Sequence, residues 1–354
     1  MDLQGWMDQG RAMDCTDLHL TVGLPVVARM LGELTIIGDE PLTKEEIHAM
    51  LATVMNRTQQ EEYQKGDLDF GFQDAHGYSV RVNAYYQKGN PCAALRLLRN
   101  TIPTFDDLRK LSTLPRGLVL VTGPTGSGKS TTMAAMINSI SHSRKAHIIT
   151  IEDPIEYRFD HASSIVHQRE VGVDVASFAD ALRSALREDP DVILVGEMRD
   201  FETIQAAIRA AETGHLVIST LHTNSAVSTI DRIIDVFPEA QQGQIRVQLA
   251  SVLKGVVTQQ LLVRQDQPGR LAAFEILLTN DAVAAMIREN KGHQISSVLQ
   301  TGQKAGMRQM DYDLARLVQE GKISEKTARE RCLKEADLQQ YLSYTVSSAS
   351  TYYF

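Results

Sequence analysis

The stretch Leu118-Val119-Leu120-Val121-Thr122-Gly123-Pro124-Thr125-Gly126-Ser127-Gly128-Lys129-Ser130-Thr131-Thr132 decides how the rest of the chain is read. A short apolar run rich in β-branched residues ends in a loop with three glycines and then Lys-Ser, and a helical pattern follows at Met133-Ala134-Ala135-Met136-Ile137. Gly123, Gly128, Lys129 and Ser130 meet the spacing G-x-x-x-x-G-K-[ST] of a phosphate-binding loop. Glycines let the backbone turn tightly enough for successive N–H groups to face a β-phosphate, and the start of the next helix adds the positive end of its dipole. The expected cradle is therefore Gly123, Pro124, Thr125, Gly126, Ser127, Gly128, Lys129, Ser130 and Thr131. Lys129 can bridge the β- and γ-phosphates, and the Ser130 hydroxyl can enter a Mg²⁺ shell. The chain is predicted to bind a nucleoside triphosphate.

The other strand ends fit that reading. Apolar runs at 147–151, 191–195 and 215–220 alternate with alanine-rich amphipathic stretches at Phe178-Ala179-Asp180-Ala181-Leu182-Arg183 and Ile204-Gln205-Ala206-Ala207-Ile208-Arg209, as in a doubly wound α/β domain. Ligands of open parallel sheets collect at the carboxyl ends of the strands. One run leads into Gly196-Glu197-Met198-Arg199-Asp200, where a carboxylate can organise Mg²⁺ or orient an attacking water. A second leads into Glu152-Asp153-Pro154-Ile155-Glu156, and a third into Leu221-His222-Thr223-Asn224, where an imidazole can sense a γ-phosphate.

Residues 1–100 read as a small mixed α/β domain. Asp17-Leu18-His19-Leu20-Thr21 alternates polar and apolar side chains, Thr43 with Glu46 forms a capping box before a helix, and Tyr78, Val80, Val82 and Ala84 share one face of a strand that puts Arg81 on the other. Pro103 and Pro115 flank a short helical piece, so residues 101–116 are expected to be the connection. The α/β domain is expected over 117–270. A mainly helical region over 271–354 follows, ending in a frayed tail from Ser347 to Phe354.

At 354 residues, with 43% hydrophobic and 23% charged residues, the chain is long enough for two or three ordinary globular domains. A net charge of −8 argues against a broadly basic nucleic-acid-binding surface. The opening Met1-Asp2-Leu3-Gln4-Gly5-Trp6-Met7-Asp8 has no apolar core of a secretory signal, and no run approaches the ~20 apolar residues of a membrane span. Cys15, Cys92 and Cys332 lie far apart without a C-x-x-C pair, which suits a reducing compartment.

The P-loop, the acidic box Ile151-Glu152-Asp153-Pro154-Ile155-Glu156, Gly196-Glu197-Met198-Arg199-Asp200, Ala207-Ile208-Arg209-Ala210-Ala211-Glu212-Thr213-Gly214-His215 and Ser219-Thr220-Leu221-His222-Thr223-Asn224 together resemble the secretion-superfamily ATPases, in particular the PilT-like type IV pilus retraction ATPases. Asp17-Leu18-His19-Leu20 is similar to that family's N-terminal signature, and His293-Gln294-Ile295 through Met310-Asp311 to its C-terminal region. The resemblance implies an N-terminal PAS-like α+β domain, a RecA-like P-loop α/β domain and a C-terminal helical region. It implies a homohexameric ATPase in which ATP and Mg²⁺ lie between the two domains. Glu197 would activate water, and Glu156 would support Mg²⁺ and water, so that Ser130, Glu156 and Glu197 form the metal set. His222 would act as a γ-phosphate switch, and Arg81 and Arg96 would reach the nucleotide. The implied location is cytoplasmic, at the inner face of the cytoplasmic membrane. The implied partners are an inner-membrane, PilC-like platform protein and a paralogous retraction ATPase, with no nucleic acid.

Tyr85-Tyr86-Gln87 departs from the family where further polar or basic residues often stand, and the aromatic tail is unusual for it. The four-cysteine metal motif of pilus-extension and type II secretion ATPases is missing, which favours retraction. The competing readings are an export ATPase of a secretion or conjugation system, an accessory PilU-like retraction ATPase, and a nucleic-acid translocase.

Overall fold

The computed structural model describes residues 1–30, 32–98 and 108–343. The expected tail and the first part of the expected connection lie outside them. The chain divides into two units, Met1–Ile102 with Pro154–Arg158, and Pro103–Asp153 with Phe159–Phe354. Among the described residues no helix is long and apolar enough to cross a membrane.

The N-terminal unit runs α1 (Leu3–Ala12), β1 (Asp17–Thr21), β2 (Val27–Met30), β3 (Glu33–Ile36), α2 (Lys44–Ala52), α3 (Arg57–Tyr63), β4 (Leu68–Gln73), β5 (Ser79–Gln87) and β6 (Asn90–Leu97). Its strands form one antiparallel sheet in the order β3-β2-β1-β6-β5-β4. Strand side chains alternate between faces. Leu18, Leu20, Val82 and Leu95 accordingly join Leu3, Met7, Ile47, Leu51 and Tyr63 of the helices in one core. The opposite face carries a row set by register, in which Arg29 pairs with Asp17, Asp17 with Arg96, Arg96 with Arg81 and Arg81 with Gly71. Arg96 stands near the end of β6. The Thr43 side chain accepts from the Glu46 N–H while the Glu46 carboxylate accepts from the Thr43 N–H, so the expected capping box opens α2. Pro154–Arg158 returns to this unit from the other: Pro154 lies against Gly71, and Tyr157 and Arg158 lie beside Gln73, Gly77 and Ser79.

The second unit runs α4 (Arg109–Ser112), β7 (Gly117–Thr122), α5 (Lys129–Ser143), β8 (His147–Glu152), β9 (Ile165–Glu170), α6 (Phe178–Ala185), β10 (Val192–Val195), α7 (Phe201–Glu212), β11 (Leu216–Leu221), α8 (Ala226–Asp235), α9 (Glu239–Val252), β12 (Leu253–Val263), β13 (Arg270–Leu278), α10 (Asp281–Arg288), α11 (Ile295–Thr301), α12 (Met310–Gln319), α13 (Glu325–Arg331) and α14 (Glu335–Ser343). Its seven-stranded sheet has the order β13-β12-β7-β11-β10-β8-β9, parallel except for β13. Helices cover both faces, which is why the strands read as continuous apolar runs. Val119 and Val121 pack with Met133, Met136, Ile137 and Ile140 of α5. Leu118 and Leu120 face the other way, into a core shared with Leu182, Ile204, Ile208, Ile230 and Leu249.

Two boundaries differ from the sequence expectation. The short helical piece expected within the 101–116 connection is present as α4, but its neighbour Leu108 and own Leu111 are buried in the core around α5, so this stretch belongs to the second unit. The region after 270 opens with β13 and only then turns helical. An antiparallel edge strand leaves one row of backbone groups unpaired. Here the chain at 308–313 covers that row: Ile276 and Arg308 exchange backbone hydrogen bonds of 2.8 and 2.9 Å, and the Phe274 N–H donates to the Asp313 carboxylate at 2.9 Å.

Candidate functional site

β7 and α5 present the phosphate-binding loop as expected, with Gly128 as the helix N-cap at φ +89°. The Lys129 ammonium is almost buried and donates to the Gly123 and Pro124 carbonyls at 2.9 and 3.1 Å, curled over the loop it is meant to serve. Ser127 is also buried, and its Oγ has no hydrogen-bond partner among the described residues. A buried hydroxyl left unpaired in this loop fits a site built to receive phosphate oxygens.

β11 lies between β7 and β10, so the P-loop strand and the Glu197 strand are separated by the strand that ends in Leu221-His222. The turn carrying Glu197 is pinned from both sides. Gly196 N–H donates to the Ile151 carbonyl at 2.8 Å, Met198 N–H to the Thr220 carbonyl at 3.0 Å, and Thr220 Oγ1 to the Gly196 carbonyl at 2.6 Å. The Glu197 carboxylate accepts from Arg199 Nε at 2.8 Å, and its other oxygen lies 3.7 Å from His222 Nε2. Burial and then the Lys129 ammonium hold His222 below the usual imidazole range, against the pull of Glu197. His222 is therefore a neutral imidazole at pH 7, able to donate from one nitrogen and accept at the other. The loop after it is fixed by Thr223 Oγ1 on Thr229 Oγ1 at 2.6 Å and by a capping box at Ser225 and Ser228.

The α/β unit thus brings together Lys129, Glu197 and His222 at neighbouring strand ends. It does not supply the other expected groups. Glu156 lies in the segment that joins the N-terminal unit, and Arg81 and Arg96 are on that unit's open sheet face. Arg96 Nε donates to Asp17 at 3.0 Å. Of the acidic box, Glu152 stays at the end of β8, where it accepts from Thr150 Oγ1 at 2.7 Å and Gln168 Nε2 at 3.1 Å.

Mg²⁺ takes few protein oxygens and completes its octahedron with phosphate and water. The Ser130 hydroxyl in the first turn of α5 and the Glu197 carboxylate are hard oxygen donors of that kind. Among the described residues no three carboxylate, imidazole or thiol groups form a cation cage, as such a site does not require one.

Two residues were missed from sequence. Gln259 on β12 is buried against the P-loop, its Nε2 donating to the Ser127 carbonyl at 2.6 Å and its Oε1 accepting from Thr132 Oγ1 at 2.6 Å. Glu275 on β13 accepts from the Ala226 N–H at 2.8 Å, at the start of α8 just beyond the His222 loop. The available signal was a polar residue inside an apolar run, at Val257-Thr258-Gln259-Gln260-Leu261 and Phe274-Glu275-Ile276.

Comparisons with known proteins agree with this architecture. The profile of the family described as "Type II/IV secretion system protein" matches residues 75–337. A "Twitching motility protein" of Neisseria gonorrhoeae is 49% identical over 310 residues, covering 86% of this chain and 83% of that protein. The type IV pilus retraction ATPase PilT of Pseudomonas aeruginosa is 44% identical over 338 residues, covering 94% and 98%. A crystal structure of the pilus retraction motor PilT with bound ADP superposes with a TM-score of 0.86 at 43% identity, covering 96% of this chain and 99% of that one. The resemblance to pilus retraction ATPases and the P-loop α/β fold expected from sequence are both borne out, and the chain belongs to the type II/IV secretion system protein family.

Proposed function

We propose that the chain is an ATP-hydrolysing motor that powers type IV pilus retraction, working as a homohexamer at the inner face of the cytoplasmic membrane against a platform protein there. The observation that carries the reading is the convergence of Lys129, Glu197 and His222 at adjacent strand ends of a unit whose fold matches an ADP-bound retraction motor. The P-loop N–H groups and Lys129 hold the phosphates, and the Ser130 hydroxyl and Glu197 carboxylate are the protein oxygens for Mg²⁺, which would neutralise charge developing on the phosphates. Glu197 orients the attacking water and takes its proton. His222, a neutral hydrogen-bonding group beside Glu197, reports whether the γ-phosphate is in place. Glu156, Arg81 and Arg96 complete the set, and a well-placed arginine of this sort contributes about 10³- to 10⁵-fold in rate.

The test is steady-state ATPase activity of the full chain against protein concentration, with sizing in parallel, for the natural sequence and Glu197→Gln. Activity should rise as the ring assembles. Glu197→Gln should keep nucleotide affinity and lose hydrolysis by about 100-fold or more. Full turnover by a monomer, or undiminished turnover by Glu197→Gln, would reject the assignment.

A further inference from the structure

Two of the three P-loop glycines are required by one neighbour. A Cβ on Gly123, which sits at φ +139°, would collide with the backbone carbonyl of Gln259, and a Cβ on Gly128 would lie 2.8 Å from the Gln259 side-chain nitrogen. Gln259 reaches this position because β12 runs parallel to β7, with Thr258 opposite Thr122 and their hydroxyls 2.9 Å apart. The residue is 2% exposed, and both ends of its amide are engaged. Nε2 donates to the Ser127 carbonyl, and Oε1 accepts from Thr132 Oγ1 in the first turn of α5.

The geometry constrains a peptide plane. In a trans peptide the carbonyl and the following N–H point in opposite directions. Holding the Ser127 carbonyl toward β12 therefore turns the Gly128 N–H away from β12. Released, the 127–128 peptide could rotate its carbonyl into the anion site, replacing a donor with a lone pair that repels phosphate. The Ser127 carbonyl, which can only accept, fixes the amide the right way round, and the Thr132 hydroxyl then donates to the amide oxygen and holds it there.

We propose that Gln259 is a positioning residue for nucleotide binding, holding the Ser127–Gly128 peptide in the phosphate-accepting orientation, with Thr132 as the second anchor of its side chain. This rests on the nucleotide-binding reading of the loop. Released, the peptide escapes an unpaired buried carbonyl by turning that carbonyl toward the anion site, and nucleotide binding must turn it back against the lost bond, which sets the scale of the expected effect.

The experiment measures ADP affinity by titration calorimetry, together with KM and kcat for ATP, on full-length Gln259→Met, Thr132→Val and Lys129→Ala. Gln259→Met fills similar volume without a donor. It should weaken ADP binding about tenfold and raise KM about as much, while kcat falls less than about threefold and the ligand-free melting temperature holds. Thr132→Val should weaken binding in the same sense but less. ADP affinity within about twofold of the natural sequence for both variants would overturn the proposal. So would a loss of affinity matched by an equal fall in kcat and a lowered ligand-free melting temperature, which would mark Gln259 as a packing residue only. If Gln259→Met does not fold, Thr132→Val decides the question alone, and unchanged affinity there would overturn the proposal. Lys129→Ala separates the two readings. Unchanged affinity in that variant rejects the nucleotide site itself, whereas lost affinity there with unchanged binding in the other two rejects only the role of Gln259.

Discussion

In the seven-stranded sheet, β7 and β11 are buried at every position, whereas β1 and β5 of the six-stranded sheet alternate buried and accessible residues. A sheet covered on both faces has no side left for polar groups, so its chemistry is pushed out to the strand ends, where Lys129, Glu197 and His222 stand. A sheet covered on one face can carry charge along its whole length. Asp17, Arg96 and Arg81 accordingly lie side by side on paired positions of three neighbouring strands. The first arrangement suits holding a ligand, since its groups converge on one point. The second offers a row of guanidinium groups that can act on something presented to the face.

The sharpest way to break this division is to remove one cation from each region. Lys129→Ala should weaken ADP binding by more than about 100-fold. Arg81→Ala should leave binding within about threefold and lower turnover by about 10- to 100-fold. Calorimetry with ADP and steady-state hydrolysis read the two effects separately. If Arg81→Ala lost binding as deeply as Lys129→Ala, the open face would be a binding element and the contrast would fail.

A smaller effect concerns the cost of polarity inside the doubly covered sheet. Burial pushes the Glu275 carboxyl up to about 7, against the backbone donors of Ala226 and Met310, which favour the charged form. The folded-state value thus exceeds the ordinary 4.5, and the native protein keeps a proton that the unfolded chain has released. Stability should therefore fall as pH rises from 4.5 to about 7 and level off above, with a slope of up to about 1.4 kcal/mol per pH unit. Glu275→Gln should flatten that window in chemical unfolding of the full chain. An unaltered pH profile would remove Glu275 as its source.

The smallest effect belongs to the N-terminal unit. Thr43→Ala removes the side-chain acceptor that opens α2 and should cost about 1 kcal/mol in the unfolding of that unit. ADP affinity should stay where it was. A change in affinity would mean that local stability of the first unit reaches the P-loop, against the separation drawn above.

What could be read from the sequence follows the same physics. β7 and β11 were legible because continuous burial leaves an uninterrupted apolar run. The α2 start was legible because a capping box is a local pattern. β6 was lost with its turn: Lys88 and Gly89 both take positive φ in a two-residue hairpin between Gln87 and Asn90, and a lysine there is a weak turn signal. The β12–β13 hairpin was lost because buried polar residues interrupt its apolar runs, and Gln259 was lost with it. The fate of Pro154–Arg158 was not legible at all, since no local pattern says which core a loop will join.

That returning segment has a consequence for synthesis. The N-terminal unit is assembled from two stretches of chain, and the second is made about 55 residues after Ile102. At roughly 5–20 residues per second, the first stretch waits on the order of 3 to 11 s on the ribosome for its missing piece. During that interval β7, α5 and β8 are being translated, and the place that Tyr157 will occupy beside Gln73 and Ser79 stands open. The first domain to emerge therefore cannot be finished from its own stretch of chain, and its nascent form keeps a gap that only the ATPase half of the message can close.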